Sequence, residues 1–139
     1  MTRVLPLMLL LASSVPAAAQ ELGPAMNRLV QAWQRADVGA LSELAAASGI
    51  SLSLEGQRVG PLQPRQATSA LRRVFEQRET ISARLGMAKE VGGEPPRAFV
   101  EIAWITRTRG TTIPEETTVF FALEREGDGW RITEIRLIQ

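Results

Sequence analysis

The chain has 139 residues, with 16 basic and 15 acidic side chains, and it contains no cysteine, histidine or tyrosine. That composition excludes disulfide staples, thiol nucleophiles, imidazole acid–base chemistry and nearly every metal site except an all-oxygen one. All the bases except Lys89 are arginines, and they alternate with acids along the chain. No stripe of one sign exists to hold nucleic acid or an anionic membrane, so neither is expected as a partner.

The first residues, MTRVLPLMLLLASSVPAAAQ, place one charge (Arg3) before an apolar run from Val4 to Ala12 and then small residues. This is the layout of a secretory signal peptide, with Ala17-Ala18-Ala19 as the cleavage region. Residues 1–19 are therefore expected to be a leader cut after Ala19. Residues 20–139 are expected to form one domain, soluble after cleavage and periplasmic or secreted. The apolar run is shorter than the roughly 17 to 25 residues that a membrane anchor needs.

Three helices are predicted. In GPAMNRLVQAWQRA, Pro24 suits a first helical position, and Met26, Leu29, Val30 and Trp33 make one apolar face. In DVGALSELAAAS, Asp37 is an N-cap, Leu41, Leu44 and Ala45 form the buried side, and Gly49 is placed as the helix end. The third, PRQATSALRRVFEQR, starts at Pro64 and aligns Ala67, Leu71, Val74 and Phe75. Its Arg72 and Arg73 share the helix with Glu76 and Glu79, which reads as a solvated face.

Between the second and third helices, ISLSLEG alternates Ile50, Leu52 and Leu54 with polar residues, as a half-buried strand does. Gly56 and Gly60 bracket a turn. From Thr80 the period changes to two. Ile81, Ala83, Leu85 and Met87 alternate, GGEPP turns the chain, and RAFVEIAWITRT and ETTVFFALERE are long strands. GDG turns into the last strand, whose Asp128 is a turn residue. Short connections favour antiparallel neighbours. The fold class is thus α+β, with three helices packed on an antiparallel sheet.

In the two long strands apolar residues occupy both parities: Val100, Ile102 and Trp104 against Phe99, Ala103 and Ile105, and Val119, Phe121 and Leu123 against Phe120 and Ala122. Helices cover only one face, so a second copy is expected on the other, making a homodimer through the sheet. In the last strand Trp130 and Ile132 differ in parity from Ile135 and Leu137. A β-bulge near Thr133-Glu134 would return them to one face and bend the strand. The expected sheet is therefore strongly curved, a cone that leaves a cavity under the helices.

A helix pair with ADVGAL at the second start, a strand ending SLEG, a helix with Gln66-Ala67, Leu71 and Phe75, and a meander ending GDGWRITEIRLI together resemble the nuclear transport factor 2-like superfamily. The pattern is most similar to its small exported bacterial members of the DUF4783 type, and the resemblance spans about residues 24 to 138. It implies a helix-on-sheet cone of that superfamily, which includes isomerase-like and cyclase-like enzymes and many non-catalytic binding or dimerisation modules. Fold alone does not choose among them.

With His, Cys and Tyr absent, carboxylates are what remain for chemistry. Glu101 in a central strand and Glu134 in the last strand are the candidate bases, with Arg107, Arg109 and Arg136 as possible partners. A carboxylate under a helical lid would have the raised pKa that a cofactor-free base needs, whereas a rim ion pair would not. Trp33, Phe75, Trp104 and Phe121 are the candidate pocket residues, and each also sits on its element's apolar stripe, as core residues do. No cofactor and no metal are expected. The reading is an exported, non-enzymatic module binding a small apolar ligand or a protein partner. The alternatives are a cofactor-free isomerase or cyclase and a pure dimerisation scaffold.

Overall fold

The computed structural model describes residues 21–139; the leader and its cleavage point lie outside the described residues. The elements run α1 (Leu22–Gln34), α2 (Val38–Leu44), β1 (Ile50–Ser53), β2 (Arg58–Leu62), α3 (Pro64–Gln77), β3 (Arg78–Val91), β4 (Arg97–Thr108), β5 (Pro114–Glu126) and β6 (Gly129–Ile138).

The helices form for the reasons their sequences suggest. On α1, Leu29 and Trp33 are buried and Met26 and Val30 pack beside them. Its start lies two residues earlier than Pro24, which the helix tolerates because first-turn N–H groups have no intrahelical acceptor. Asp37 caps α2, its carboxylate accepting from the Ala40 N–H at 3.0 Å. On α3, Pro64 opens the helix, and a reciprocal Gln63–Gln66 capping box satisfies two free donors. Ala67, Leu71 and Phe75 face the sheet. The second helix ends at Leu44 with an extended Ala45 cap, so Gly49 does not terminate it. Gly49 instead precedes β1 with its Cα against Pro61, where an added Cβ would lie 2.9 Å from the proline ring.

One six-stranded sheet has the order β2-β1-β6-β5-β4-β3. The neighbours β3–β4, β4–β5, β5–β6 and β1–β2 are antiparallel, as their short connections require. The strongly curved, all-antiparallel cone is corrected here in two respects. β1 pairs with β6 in parallel, with Leu52 opposite Ile135, so the sheet is mixed. The sheet is also open, with β2 and β3 as separate edges, and it neither closes nor curls strongly.

The physical reasons are specific. Turn length sets the direction only of strands that are joined by it, and β1 and β6 are joined by most of the chain. The irregularity at Thr133 is present: Ala122 opposes Glu134 while Leu123 opposes Ile132. That one extra residue restores Trp130, Ile132 and Ile135 to the buried face. It resets the alternation of one strand and does not roll six strands into a cone.

A second difference concerns β3. Its register skips Ile81 and Gly86, so the alternation from Ile81 to Met87 does not describe one face. Ala83 is buried, whereas Ile81, Leu85 and Met87 are 48%, 45% and 47% exposed along this edge strand. A further strand, β2, occupies the stretch that Gly56 and Gly60 suggested was only a turn.

The two parities of the central strands now have assigned faces. Ala98, Val100, Ile102, Trp104 and Thr106 of β4, with Thr117, Val119, Phe121 and Leu123 of β5, are buried under the helices. Phe99, Ala103, Ile105, Phe120 and Ala122 point to the opposite, half-buried face.

Candidate functional site

The space under the helices is filled by rings. Trp33 meets Phe75, Trp104 and Phe121 edge-on, at centroid separations of 4.8, 5.2 and 5.4 Å, and Phe75 meets Trp104 at 5.7 Å. Such edge-to-face packing adds to the stabilisation from burial alone. The four candidate pocket residues are thus brought together, as a packed cluster. None of them lines the cleft described next.

That cleft, of about 320 Å³, opens beside the ring cluster where α3 faces the β1–β2 hairpin. Pockets that hold small molecules start near this size. Its walls are Ala70 and Val74 of α3, Leu52 of β1 with Leu54 just after it, Val59 and Leu62 of β2, and Leu137 of β6. Helical geometry explains the first pair. Ala70, Val74 and Gln77 recur at i, i+4 and i+7, flanking the stripe that faces the sheet, so they look toward the hairpin. Edge strand β2 stands beyond the helical layer, which leaves Val59 52% exposed at the mouth.

The polar rim consists of Glu55, Gln57, Arg73, Gln77 and Arg78. Arg78 is the residue at which α3 passes directly into β3, its backbone extended at φ −121° and ψ 125°. Its guanidinium lies 5.7 Å from the centre of the Trp104 ring and donates to Thr117 Oγ1 at 3.5 Å. Neither Arg73 nor Arg78 is within ion-pair distance of a carboxylate among the described residues. The rim therefore carries two arginines against one glutamate.

The candidate carboxylates sit elsewhere. Glu101 lies on the outer sheet face, opposite Phe120 and Met87 in register. Glu134 binds Arg136 at 2.6 Å and borders a second concavity, which also holds Arg58, Arg97 and Glu124. Of the other expected arginine partners, Arg107 pairs with Glu79 at 3.5 Å, and Arg109 donates to the Glu76 carbonyl at 2.7 Å. Among the described residues no group of three or more acidic side chains could hold a metal ion. No helix among them is long and apolar enough to cross a membrane.

Sequence reasoning missed the cleft for two reasons. Val59 and Leu62 sit in GQRVGPL, whose glycines and proline read as a turn. Arg73 reads as part of a solvated helix face, and nothing in its local sequence shows the hairpin across from it. The available signal was the apolar pair Val59 and Leu62 following Leu52 and Leu54 at hairpin distance.

Helices packed on one face of this mixed sheet, in this order, define a small protein with the nuclear transport factor 2-like fold. No protein-family model matches the sequence, and no curated protein does. Solved structures do match. A DUF4783 family protein from Bacteroides uniformis is similar at a TM-score of 0.69 and 12% identity, over 81% of this chain and 94% of that one. A DUF4783 family protein from Bacteroides ovatus matches at 0.66 and 16% identity, over 80% and 91%. A hypothetical protein with a ketosteroid isomerase-like fold from Catenulispora acidiphila, in complex with trimethylamine, matches at 0.64 and 18% identity, over 82% and 83%.

Proposed function

We propose that this protein is a non-enzymatic binding module that holds a small, largely apolar ligand in the cleft between α3 and the β1–β2 hairpin. The observation that carries the reading is the cleft itself: a concave, aliphatic-walled space of about 320 Å³ with polar groups confined to its rim. The Catenulispora acidiphila protein of the same fold, in complex with trimethylamine, supports small-molecule binding on this scaffold and carries no argument about the class of ligand. The candidate bases Glu101 and Glu134 stand outside this cleft, and Glu134, which borders the second concavity, is held in an ion pair with Arg136.

Native mass spectrometry of the purified full chain, beside an Ala70→Trp variant that fills the cleft, tests this reading. A small molecule carried by the wild type and lost from the variant is the expected result. An equal load on both proteins would place binding elsewhere. No load, with no thermal stabilisation by aliphatic probes, would remove the binding reading.

Two further properties belong to the proposal. The leader pattern around Arg3 and Ala17–Ala19 directs the chain to the periplasm or outside the cell, and N-terminal sequencing of the exported product checks the cut after Ala19. The outer sheet face forms a homodimer. Its support is the stacked pair Phe99 and Phe120, 5.7 Å apart at an interplanar angle of 22°, with Ala103, Ile105 and Ala122 on the same face around Glu101 and the Arg136 guanidinium, which lies 5.3 Å from the Phe120 ring.

A further inference from the structure

We infer that the ligand of this cleft is an aliphatic carboxylic acid, its chain lying along the leucine and valine walls and its carboxylate held by Arg73 and Arg78. The inference rests on the reading of the cleft as a ligand site and adds the chemical class.

Three observations carry it. The first is the lining. Leu52, Leu54, Val59, Leu62, Val74 and Leu137 supply branched alkyl surface, and no aromatic ring faces the space. Such a wall suits a flexible or alicyclic hydrocarbon. It offers no face on which a planar ring could stack or a quaternary ammonium could sit.

The second is charge. Arg73 and Arg78 line the cleft with no carboxylate in ion-pair range among the described residues, against the single acid Glu55 in the lining. The cleft is cationic, and it disfavours a cationic ligand by like-charge repulsion.

The third is orientation. A guanidinium offers five donors in a planar fork that matches a carboxylate. Arg78 is oriented by the Trp104 ring, 5.7 Å from its guanidinium, and by a long contact to Thr117 Oγ1 at 3.5 Å. Among the described residues the Arg78 guanidinium makes one hydrogen bond, to Thr117, so donors remain for a ligand. A preoriented guanidinium loses less entropy on binding than a free one. The amides of Gln57 and Gln77 on the same rim can complete the carboxylate's hydrogen bonds.

The test is isothermal titration calorimetry on the full chain with three probes of equal chain length: decanoate, decanol and decyltrimethylammonium. The expected order is decanoate tightest, decanol at least about tenfold weaker, and no measurable binding of the cation. Arg78→Gln and Arg73→Gln should each weaken decanoate by about tenfold and leave decanol unchanged. Arg73 lies on the exposed face of α3, so its variant folds even if loss of the Arg78–Trp104 contact impairs the other. Equal affinities for decanoate and decanol, or arginine variants without effect, would overturn the carboxylate assignment while leaving an apolar site. Failure of all three probes to bind would overturn the assignment and the ligand-site reading together.

Discussion

Trp33 on α1 stands edge-on to Trp104 on β4, with ring centres 5.2 Å apart and planes at 80°. This contact joins the first helix to the middle of the sheet, and Phe75 and Phe121 close around it. These four rings pack against one another and line no part of the cleft, which opens on the flank between α3 and the hairpin.

Replacing Trp33 by alanine should remove the centre of this cluster. Large aromatic-to-alanine changes in cores cost about 3–5 kcal/mol, a large share of the roughly 5–15 kcal/mol that holds a domain folded. Urea unfolding should show a midpoint lowered accordingly. A loss below about 1 kcal/mol would mean that the rings are not packed as described.

Two threonines on neighbouring strands should respond with opposite signs. Thr80 Oγ1 accepts from the buried Trp104 Nε1 at 3.0 Å. Thr80→Val strands that donor and should cost about 1–3 kcal/mol. Thr106 is fully buried, and its hydroxyl has no partner among the described residues. Thr106→Val keeps the shape, removes an unpaired polar group and should be neutral or stabilising by about 1 kcal/mol. Thermal melts of the two variants read the contrast directly, and destabilisation by Thr106→Val would show that its hydroxyl has a partner in solution.

Gly60 shapes the hairpin that walls the cleft. Its φ is +125°, and an added Cβ would lie 2.9 Å from the Ile50 carbonyl oxygen. Gly60→Ala should therefore cost about 1–3 kcal/mol through backbone strain and this close approach. Gly56, also at positive φ but with nothing within 4 Å of an added Cβ, should cost less when changed to alanine. Comparison of the two by chemical denaturation separates crowding from conformation.

The outer sheet face makes a prediction of its own. Ala103→Arg places a long charged side chain between Ile105 and Glu101, beside the stacked Phe99–Phe120 pair, and its bulk should dissociate a dimer through that face to monomer in sedimentation equilibrium. The helix-side core is untouched, so far-ultraviolet circular dichroism should not change. A wild-type protein that sediments as a monomer would remove the dimer proposal.

Much of this architecture is legible one element at a time. Asp37 is a cap because its carboxylate reaches an N–H three residues on, and Pro64 starts a helix because it lacks only a donor that the first turn does not use. Leu29 with Trp33, and Leu71 with Phe75, lie at helical spacing and are buried. The parity break between Ile132 and Ile135 correctly places the extra residue at Thr133. All of these are interactions between residues close in sequence, and periodicity records them. Ile81 to Met87 shows the limit: an alternation with small residues inside it cannot reveal that the register skips Ile81 and Gly86.

By itself the sequence determined the helix and strand inventory from α3 onward, the absence of thiol and imidazole chemistry, and the two-sided apolar character of β4 and β5. Only the tertiary structure decided that β1 runs parallel to β6, that the sheet stays open, that Trp33, Phe75, Trp104 and Phe121 pack edge-on against one another, and that Arg73 and Arg78 line one cleft with Val59 and Leu62. The reason is sequence separation. The pairing of Leu52 with Ile135, and the meeting of α3 with the hairpin, depend on which apolar faces find each other once the chain has folded. No local spacing encodes that choice.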